Sequence, residues 1–511
     1  MSDVKQTAIV GGGLAGLSTA YQLLKKDPQQ HIVVYERGDE KSYTADGDNS
    51  HRASLAGSSS RTMRYAGASD ELGQWLVSET LAMVRRLEHD IKAHPNDYPD
   101  LQGKPLFYPA PGVTISVDKV SKKYAATLET FKKKHIPHSE LTGKQLKERF
   151  PDLYKTIPDN AYALVEEPAT AYKGAAGFMD TQEIMHALRH YIKAHGGEIR
   201  FGEEVSSVEE VAGKAHIVSS GGEQSFDRVV IAPGQWLPNV VDTQKHGIEM
   251  RHERVVILDI DVKALGINTP LIPFTRGDAP PGGSGSLYSF YPDSTQGHIK
   301  FLPKATTSKV ESLEQLQAPI SEQEKQLGLE SAAARLGISA ETLKPHVQFS
   351  VCAYTYPKKE KYQLVSKLSD HIVVNGLDSS STARKVGGLG AIAANLALGI
   401  EEPLKGAYDR FSLEAHHRAV TAPDVVPKEP SGFRAKLGKL WHRFLEMVGF
   451  ETVAQPQATI PVITPTIQAA NTSFTTAETS LSETTARFTE KYQKRDLAAK
   501  GEAASPEIRQ L

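Results

Sequence analysis

TAIVGGGLAGL, residues Thr7–Leu17, joins an apolar run through a glycine cluster to an apolar segment with helix-forming residues. This order predicts a strand, a tight turn and a helix, which together begin a dinucleotide-binding unit. Gly11 would permit the turn, Gly13 would let the backbone approach a pyrophosphate, and Gly16 would let the helix pack closely on the strand. Amide groups in the first turn of the helix would then face the negative phosphates.

A second apolar run, His31–Glu36 (HIVVYE), predicts a strand that ends in a carboxylate. Glu36 lies twenty residues after Gly16, at the separation expected for an acid that binds a ribose. A glycine motif alone can arise by chance, but the combination of strand, turn, helix, strand and acid is specific. An acid at this position, rather than an arginine, disfavours a 2′-phosphate and therefore NADP.

The composition is that of a globular enzyme. With 511 residues the chain exceeds one typical domain, so two domains or more are expected. A net charge of −2 gives no field that would favour nucleic acid or an anionic membrane. The absence of a long apolar run and the immediate start of the first strand predict no spanning helix, no leader peptide and a cytoplasmic location. The one cysteine, Cys352, precludes an internal disulfide and fits a reducing compartment.

Other periodic segments predict the remaining elements. They are a loop over 42–60, a helix over 72–92, short strands and turns over 95–165, a helix over 183–195 capped by Thr181, strands at 198–201, 228–231 and 371–376, an antiparallel sheet over 250–305, helical residues over 320–343, and a helix over 387–398. The alternating strands at 250–305 are expected to form a separate substrate domain.

The composition changes after about residue 423. Apolar residues at helical spacing, with interleaved arginines and lysines, predict an amphipathic helix over 433–448. This helix could bind a membrane surface or a partner. Packing against the catalytic part of the same chain is favoured, because the polar face of the helix is only modestly basic. Residues 453–485 predict a linker or disordered segment, and a charged helix is expected near 483–500.

Four short motifs accompany the glycine turn: Arg61-Thr62-Met63-Arg64, Gly234-Gln235-Trp236, Gly297-His298-Ile299-Lys300 and Cys352-Ala353-Tyr354-Thr355. With them, residues 5–415 resemble the amine-oxidising flavoproteins of the D-amino-acid oxidase superfamily. The resemblance is greatest to the branch of monomeric sarcosine, N-methyltryptophan, pipecolate and saccharopine oxidases.

The resemblance implies bound FAD and an α/β fold, in which a discontinuous Rossmann-like FAD-binding domain carries an antiparallel-sheet (α+β) substrate domain and a C-terminal extension. The implied division is FAD-binding segments 1–92, 165–238 and 348–415, substrate-domain segments 93–164 and 239–347, and a partly disordered extension 416–511.

The resemblance also assigns cofactor contacts. Val205 matches a backbone contact to the adenine. The helix start at 387–390 would face the flavin pyrimidine with its partial positive charge, unless its glycines serve only close packing. The full set of expected cofactor-binding residues is Gly11, Gly13, Leu14, Ala15, Gly16, Glu36, Arg37, Ser60, Arg61, Val205, Gly234, Trp236, Cys352, Gly387, Gly388, Leu389 and Gly390.

Arg61 and Arg64 match an Arg-x-x-Arg segment that lies beside the flavin ring in this family. Arg64 would bind the substrate carboxylate with its planar fork, and Arg61 would adjust the charge at the flavin. The alternative for either arginine is a structural ion pair or an exposed position. The family's Gly-His-Gly-x-Lys loop is replaced by SSSTARK at 379–385, so either Arg384 or Lys385 is the candidate for the second substrate-binding cation.

Lys300 falls where the family has a lysine under the flavin, and a cation there would stabilise negative charge as electrons pass to O₂. The alternative is an edge-strand lysine that faces solvent. Cys352 matches the cysteine that bonds covalently to the flavin 8α carbon in the sarcosine oxidase branch; the alternative is an inert buried thiol. The scattered histidines predict no metal site.

The expected function is therefore an FAD-dependent amine oxidase. It would oxidise the C–N bond of a secondary amine or cyclic imino acid that carries a carboxylate, and O₂ would be reduced to hydrogen peroxide. The alternatives are a flavin dehydrogenase that uses another acceptor and a flavin-binding scaffold that acts through its C-terminal extension. The sequence identifies neither the substrate nor the oligomeric state.

Overall fold

A computed structural model of the chain describes residues 5–40, 60–68, 70–117, 122–170, 173–267, 274–277, 285–289, 297–303, 306–358, 363–377 and 382–421. They all belong to one compact unit, Met1–Asp424. Three sets of predictions lie outside the described residues: the loop up to residue 59, positions 379–381, and the elements expected at 433–448, 453–485 and 483–500.

The helices of the described residues are α1 (Leu14–Lys26), α2 (Glu71–Ala93), α3 (Lys122–Lys133), α4 (Gly143–Arg149), α5 (Thr181–Ala194), α6 (Leu313–Gln317), α7 (Glu322–Leu336), α8 (Ala340–Leu343), α9 (Val386–Leu398), α10 (Ala407–Phe411) and α11 (Leu413–Thr421). The strands are β1 (Gln6–Val10), β2 (His31–Glu36), β3 (Ser60–Met63), β4 (Phe107–Pro109), β5 (Gly112–Ser116), β6 (His138–Thr142), β7 (Tyr162–Glu166), β8 (Gly177–Asp180), β9 (Glu198–Phe201), β10 (Val205–Val211), β11 (Lys214–Ser219), β12 (Gly222–Phe226), β13 (Arg228–Ile231), β14 (Met250–Asp261), β15 (Phe274–Gly277), β16 (Gly285–Ser289), β17 (His298–Pro303), β18 (Thr307–Val310), β19 (Val347–Pro357), β20 (Leu364–Lys367) and β21 (Ile372–Gly376).

A six-stranded sheet carries the glycine turn. Its order is β20-β21-β13-β1-β2-β9, and its pairs are parallel apart from β20–β21. Alternate residues of β1 and β2 reach opposite sides: Ile9 and Val34 join the core formed with α1, α5 and α9, whereas Val10 and Tyr35 pack against β10–β12. Both faces are buried, which explains the continuous apolar runs in these strands. The predicted α/β fold is confirmed.

The second large sheet has nine strands. Eight of them follow the order β18-β14-β17-β16-β15-β5-β7-β6, and the ninth, β19, pairs with β14. The strands within 250–305 pair antiparallel, as predicted, through β14–β17, β17–β16 and β16–β15. The sheet also contains one parallel pair, because β15 runs parallel to β5. Strand β5 comes from residues 112–116, far from the alternating stretch at 250–305, and local alternation carries no information on such a partner. Helix α7 covers one face of the sheet through contacts with Leu258 and Phe301.

The start of α5 also differs from the prediction. Asp180, not Thr181, is the N-cap, and its Oδ1 accepts hydrogen bonds from the amides of Gln182 (3.0 Å) and Glu183 (3.2 Å). Aspartate and threonine are both capping residues, and the adjacent pair shifts the predicted boundary by one position. Helices α3 and α4 were not predicted within 95–165. No helix in the described part of the chain is long and apolar enough to cross a membrane.

Candidate cofactor and substrate site

The glycine turn between β1 and α1 is held by close backbone contacts. Gly11 has φ of +105°, and a Cβ there would overlap the carbonyl oxygen of Ala232. A Cβ on Gly16 would overlap the carbonyl oxygen of Gly11, so α1 packs directly on the turn. A Cβ on Gly13 would meet no atom within 4 Å, so this residue faces open space. The turn therefore leaves the first amides of α1 accessible to a ligand.

Glu36 joins the turn from the end of β2. Its Oε2 accepts a hydrogen bond from the Gly12 amide at 2.8 Å, and its Oε1 accepts one from the Gly38 amide at 2.7 Å. Two backbone donors thus orient the carboxylate beside the turn. This is the position from which a carboxylate can accept hydrogen bonds from ribose hydroxyls.

A cavity begins at this turn and holds about 1470 Å³, counted to its open mouth. Its lining runs from the β1–α1 turn to the residues just before α9, so its extent suits an elongated ligand. The expected cofactor-binding residues that line the cavity are Gly11, Gly13, Leu14, Ala15, Glu36, Arg37, Arg61, Val205, Gly234 and Trp236.

Two further features of the cavity were not predicted. The guanidinium of Arg37 stacks over the Trp236 ring at 3.7 Å and lies 3.8 Å from Glu204, which forms one wall. Gln235 also lines the cavity and is 4% exposed, yet both atoms of its side-chain amide have no hydrogen-bond partner among the described residues. A buried amide without partners is costly unless a ligand supplies them.

Lys300 lies on β17, between β14 and β16, and is only 4% exposed. This position excludes the solvent-facing edge-strand alternative. Burial, and secondly the charge of Arg61, holds the pKa of Lys300 well below its usual range, while Cys352 and Asp259 act in the opposite direction. Arg61 lines the cavity, and Lys300 lies close to Arg61 but is not part of the lining.

Cys352 is 1% exposed on β19, where it pairs with Val255 of β14. Lys300 pairs with Asp259 of the same strand. Positions 255 and 259 share one face of β14, so the thiol and the amine lie on the same face of the sheet. The cavity itself is lined by the next residues of β19, Ala353 and Thr355. A bond from Cys352 to a cofactor stays a prediction.

Arg64 and Arg384 meet around a buried acid, Glu166. The carboxylate of Glu166 accepts hydrogen bonds from the backbone amides of Tyr65 (2.8 Å) and Ala66 (3.0 Å), and Arg384 donates to the Ala66 carbonyl at 2.8 Å. Burial raises the pKa of Glu166 to about 7, although the backbone hydrogen bonds and then the two arginines oppose the shift. The backbone of Tyr65 and Ala66, just after β3, is thus hydrogen-bonded to the Glu166 carboxylate, and at Ala66 also to the Arg384 guanidinium.

Lys385 follows Arg384 and completes this cluster. Burial, followed by the charge of Arg384, lowers the pKa of Lys385 to about 8, and Arg64 contributes in the same direction. The structure therefore brings together both candidates for the second substrate-binding cation. Glu166 was missed by sequence reasoning, because its contacts lie 100 residues away in the chain and no motif marks it.

The glycines of α9 serve helix packing. A Cβ on Gly387 or Gly388 would lie 2.7 Å from a backbone carbon of α2, and one on Gly390 would lie 2.6 Å from a side-chain oxygen of α1. Leu389 is buried in the same core. Val386, just before them, lines the cavity.

Ser60, another expected cofactor contact, is buried at the start of β3, opposite Asp180. Cofactor contacts of Ser60 and of these α9 residues stay predictions.

A family model described as FAD dependent oxidoreductase (DAO) matches residues 6–395. The chain belongs to this family. It is therefore an FAD-dependent oxidoreductase, and FAD is its cofactor. No curated protein matches the chain.

Solved structures with the same fold include three amino-acid-active enzymes. NikD, described as an unusual amino acid oxidase essential for nikkomycin biosynthesis, is 18% identical, with a TM-score of 0.61 over 80% of this chain and 98% of NikD. Glycine oxidase from Geobacillus kaustophilus is 15% identical, with a TM-score of 0.59 over 80% of this chain and 99% of that enzyme. L-proline dehydrogenase from P. horikoshii is 15% identical, with a TM-score of 0.59 over 82% of this chain and 99% of that enzyme.

The residues of this FAD-dependent oxidoreductase fit the cofactor. The open face of Gly13 and the amides of Leu14 and Ala15 suit a pyrophosphate, and Glu36 suits a ribose. The unpartnered amide of Gln235 offers a donor and an acceptor to a polar group inside the cavity. Bound FAD supplies two-electron redox chemistry, and the protein supplies binding, orientation and charge.

Proposed function

We propose that this oxidoreductase oxidises the C–N bond of a secondary amine or cyclic imino acid that carries a carboxylate, with O₂ as acceptor and hydrogen peroxide as product. The observation that carries the proposal is the cluster in which Arg64, Arg384 and Lys385 lie close to one another around the buried acid Glu166. The carboxylate of Glu166 already accepts two backbone hydrogen bonds. Cations that converge in this way would stabilise an anionic substrate group.

The substrate carboxylate is assigned to the Arg64 and Arg384 side of the cluster. A guanidinium presents a planar fork that matches the two oxygens of a carboxylate. Arg384 donates to the Ala66 carbonyl, and Arg64 Nη1 donates to Oγ1 of Thr62. The two forks are thereby limited in orientation before any substrate binds, which lowers the entropy lost on binding.

The same cations affect the substrate nitrogen. Positive neighbours disfavour an ammonium and favour the neutral amine, which is the form that can lose a hydride. Burial disfavours the protonated form of Lys300 and lowers its pKa. Negative charge that arrives beside it would favour its protonated form. A cation at this position then stabilises charge during the reaction with oxygen.

The structural neighbours support the substrate class, because they include an amino acid oxidase, a glycine oxidase and a dehydrogenase of proline, a cyclic imino acid. The sarcosine, pipecolate and saccharopine branch is proposed on the Arg61, Lys300 and Cys352 motifs. We also propose that segments 1–92, 165–238 and 348–415 bind FAD and that segments 93–164 and 239–347 bind substrate.

The test is an anaerobic screen of N-methyl amino acids, cyclic imino acids and amines without a carboxylate. At least one carboxylate-bearing amine is expected to bleach the flavin absorbance, and to yield peroxide when oxygen is admitted. Decarboxylated analogues are the matched controls and should reduce the flavin at least about 100-fold more slowly at equal concentration. Retained FAD that no amine reduces would contradict the proposal and favour a flavin-binding scaffold.

The substitution Lys300→Met tests separately whether O₂ is the electron acceptor. It removes the buried cation and keeps the side-chain volume, so the reaction of the reduced enzyme with O₂ should slow by about 10²–10³-fold, with little change in flavin reduction. The two half-reactions are measured by stopped flow, with wild-type enzyme as the reference. If wild-type enzyme reacts slowly with O₂ and the variant is no slower, a dehydrogenase that uses another acceptor replaces the oxidase.

A further inference from the structure

Two histidines of α5 and an aspartate from another segment form a cluster of side chains that can ligate a metal, outside the cavity. His186 and His190 are one helical turn apart, and their Nε2 atoms are 3.2 Å from each other. Asp100, in the short 3-10 turn Pro99–Leu101, brings its Oδ2 to 4.0 Å from Nε2 of His186. One atom from each of the three lies within 4.8 Å of the others. None of the three residues lines the cavity.

The spacing of the two imidazoles suits a tetrahedral ion. Zinc–nitrogen bonds of about 2.0–2.1 Å place two ligand nitrogens roughly 3.3–3.4 Å apart. The 3.2 Å between the two ring nitrogens is close to this value. The Asp100 side chain is 70% exposed, so it can turn about its own bonds to close the remaining distance. A fourth position is left for water.

The surroundings of His186 complete the arrangement. Its second ring nitrogen, Nδ1, lies 3.9 Å from Oε2 of Glu183, and the other oxygen of Glu183 pairs with Lys104 at 3.1 Å. Metal-bound histidines commonly donate their other N–H to a carboxylate, which fixes the ring and its tautomer. The two nitrogens of His186 thus face a carboxylate on one side and the cluster on the other.

The ring of His190 is positioned by packing. The Tyr98 ring lies against it, with the ring centres 5.8 Å apart. The ring centres of His186 and His190 are 4.8 Å apart. These contacts limit the rotation of the imidazole and leave its Nε2 beside that of His186.

We propose that Asp100, His186 and His190 bind a divalent transition-metal ion of the zinc type. The ion would link the 99–101 turn to α5 and so join two segments that are far apart in the sequence. Its role is structural, because the cluster lies outside the cofactor cavity. Sequence reasoning missed it: the His-x₃-His spacing in HALRH is visible, but Asp100 is not a neighbour in the chain.

The test uses the FAD-loaded enzyme after treatment with a chelator, titrated with zinc chloride against a competing indicator. We expect one zinc ion per chain with a Kd of about 10 μM or lower, and a zinc-dependent rise of a few degrees in the unfolding midpoint. His190→Gln and Asp100→Asn should each weaken binding by at least about 10-fold, and Glu183→Gln by roughly 10–100-fold.

His89→Gln is the matched control, because His89 of α2 is exposed and lies beside a carboxylate, Asp90, but outside the cluster. It should leave zinc affinity unchanged. Zinc binding weaker than about 100 μM, or equal binding by wild-type enzyme and His190→Gln, would overturn the proposal. Asp100→Asn changes one exposed atom, so misfolding cannot explain a loss of binding by that variant.

Discussion

The cofactor turn and the cluster of cations around Glu166 are built in opposite ways. The turn takes its residues from one stretch, Val10–Gly16, and adds Glu36 from the next strand. The cluster takes Arg64 from just after β3, Glu166 from β7, and Arg384 and Lys385 from the segment before α9. The turn would bind the cofactor with backbone atoms that glycines leave accessible, whereas the cluster would bind substrate with charged side chains. Substitutions in the turn should therefore break binding and folding, and substitutions in the cluster should tune the chemistry.

The largest expected effect is the difference in stability and FAD content between the variants Gly16→Ala and Gly13→Ala. A Cβ on Gly16 would overlap the Gly11 carbonyl oxygen, so we expect a loss of about 3 kcal/mol or more in folding stability and little bound FAD. A Cβ on Gly13 meets nothing in the protein, so Gly13→Ala should fold normally and bind FAD more weakly. Chemical denaturation and the flavin content of the purified proteins measure both effects. Equal stability of the two variants would refute the packing role of Gly16.

Glu166→Gln tests the buried acid at the centre of the cluster. The pKa of Glu166 is raised to about 7, above its unfolded value near 4.5. The folded state therefore binds the proton more tightly, and the stability that this proton contributes is lost as the pH rises from about 4.5 to 7. The loss amounts to roughly 3 kcal/mol. Glutamine cannot ionise and should remove this part of the pH dependence, although its amide places a donor against a backbone N–H.

The measurement for Glu166 is the free energy of unfolding at pH 5 and at pH 8 for both proteins. The difference between the two pH values should be smaller in Glu166→Gln than in wild-type enzyme. Parallel pH profiles would show that Glu166 does not titrate in this range. The comparison between pH values is unaffected by any constant cost of the substituted amide.

The substitution Arg64→Lys tests whether the substrate carboxylate binds to Arg64. Lysine keeps the charge and loses the planar fork, so KM for the best substrate should rise about 10–100-fold, with a smaller change in kcat. Lys385→Arg is the comparison variant, because it keeps a cation at the other candidate position. A larger rise in KM for Lys385→Arg than for Arg64→Lys would move the carboxylate to the Lys385 side.

Cys352→Ala gives the smallest expected effect on folding, about 1 kcal/mol, because the thiol is small and buried. If the wild-type flavin is covalently bound, its colour stays with acid-precipitated protein and moves to the supernatant in this variant. Release of the flavin from wild-type protein by acid would remove the covalent bond and leave Cys352 as a packing residue. The visible spectrum before and after precipitation is the measurement.

The predictable features are those whose partners lie nearby in the chain. The strand, turn and helix around Gly11–Gly16, and the acid at Glu36, follow from local spacing, and the structure has them at these positions. The burial of Lys300 could not be predicted, because alternation in β17 does not tell which face is covered or which strands flank it. Glu166 and Asp100 acquire their partners only through the tertiary fold. The cap of α5 was misplaced by one residue where two capping residues are adjacent.

The strand order of the six-stranded sheet bears on how the protein folds during synthesis. Strand β1 lies between β2 and β13, and β13 needs β21 on its other side, about 360 residues further along the chain than β1. At about 5–20 residues per second, the ribosome releases β21 roughly 20–70 s after β1. The cofactor turn therefore forms next to an incomplete sheet for most of translation. Productive FAD capture is then a late event, and a nascent chain truncated before residue 372 should not retain the flavin.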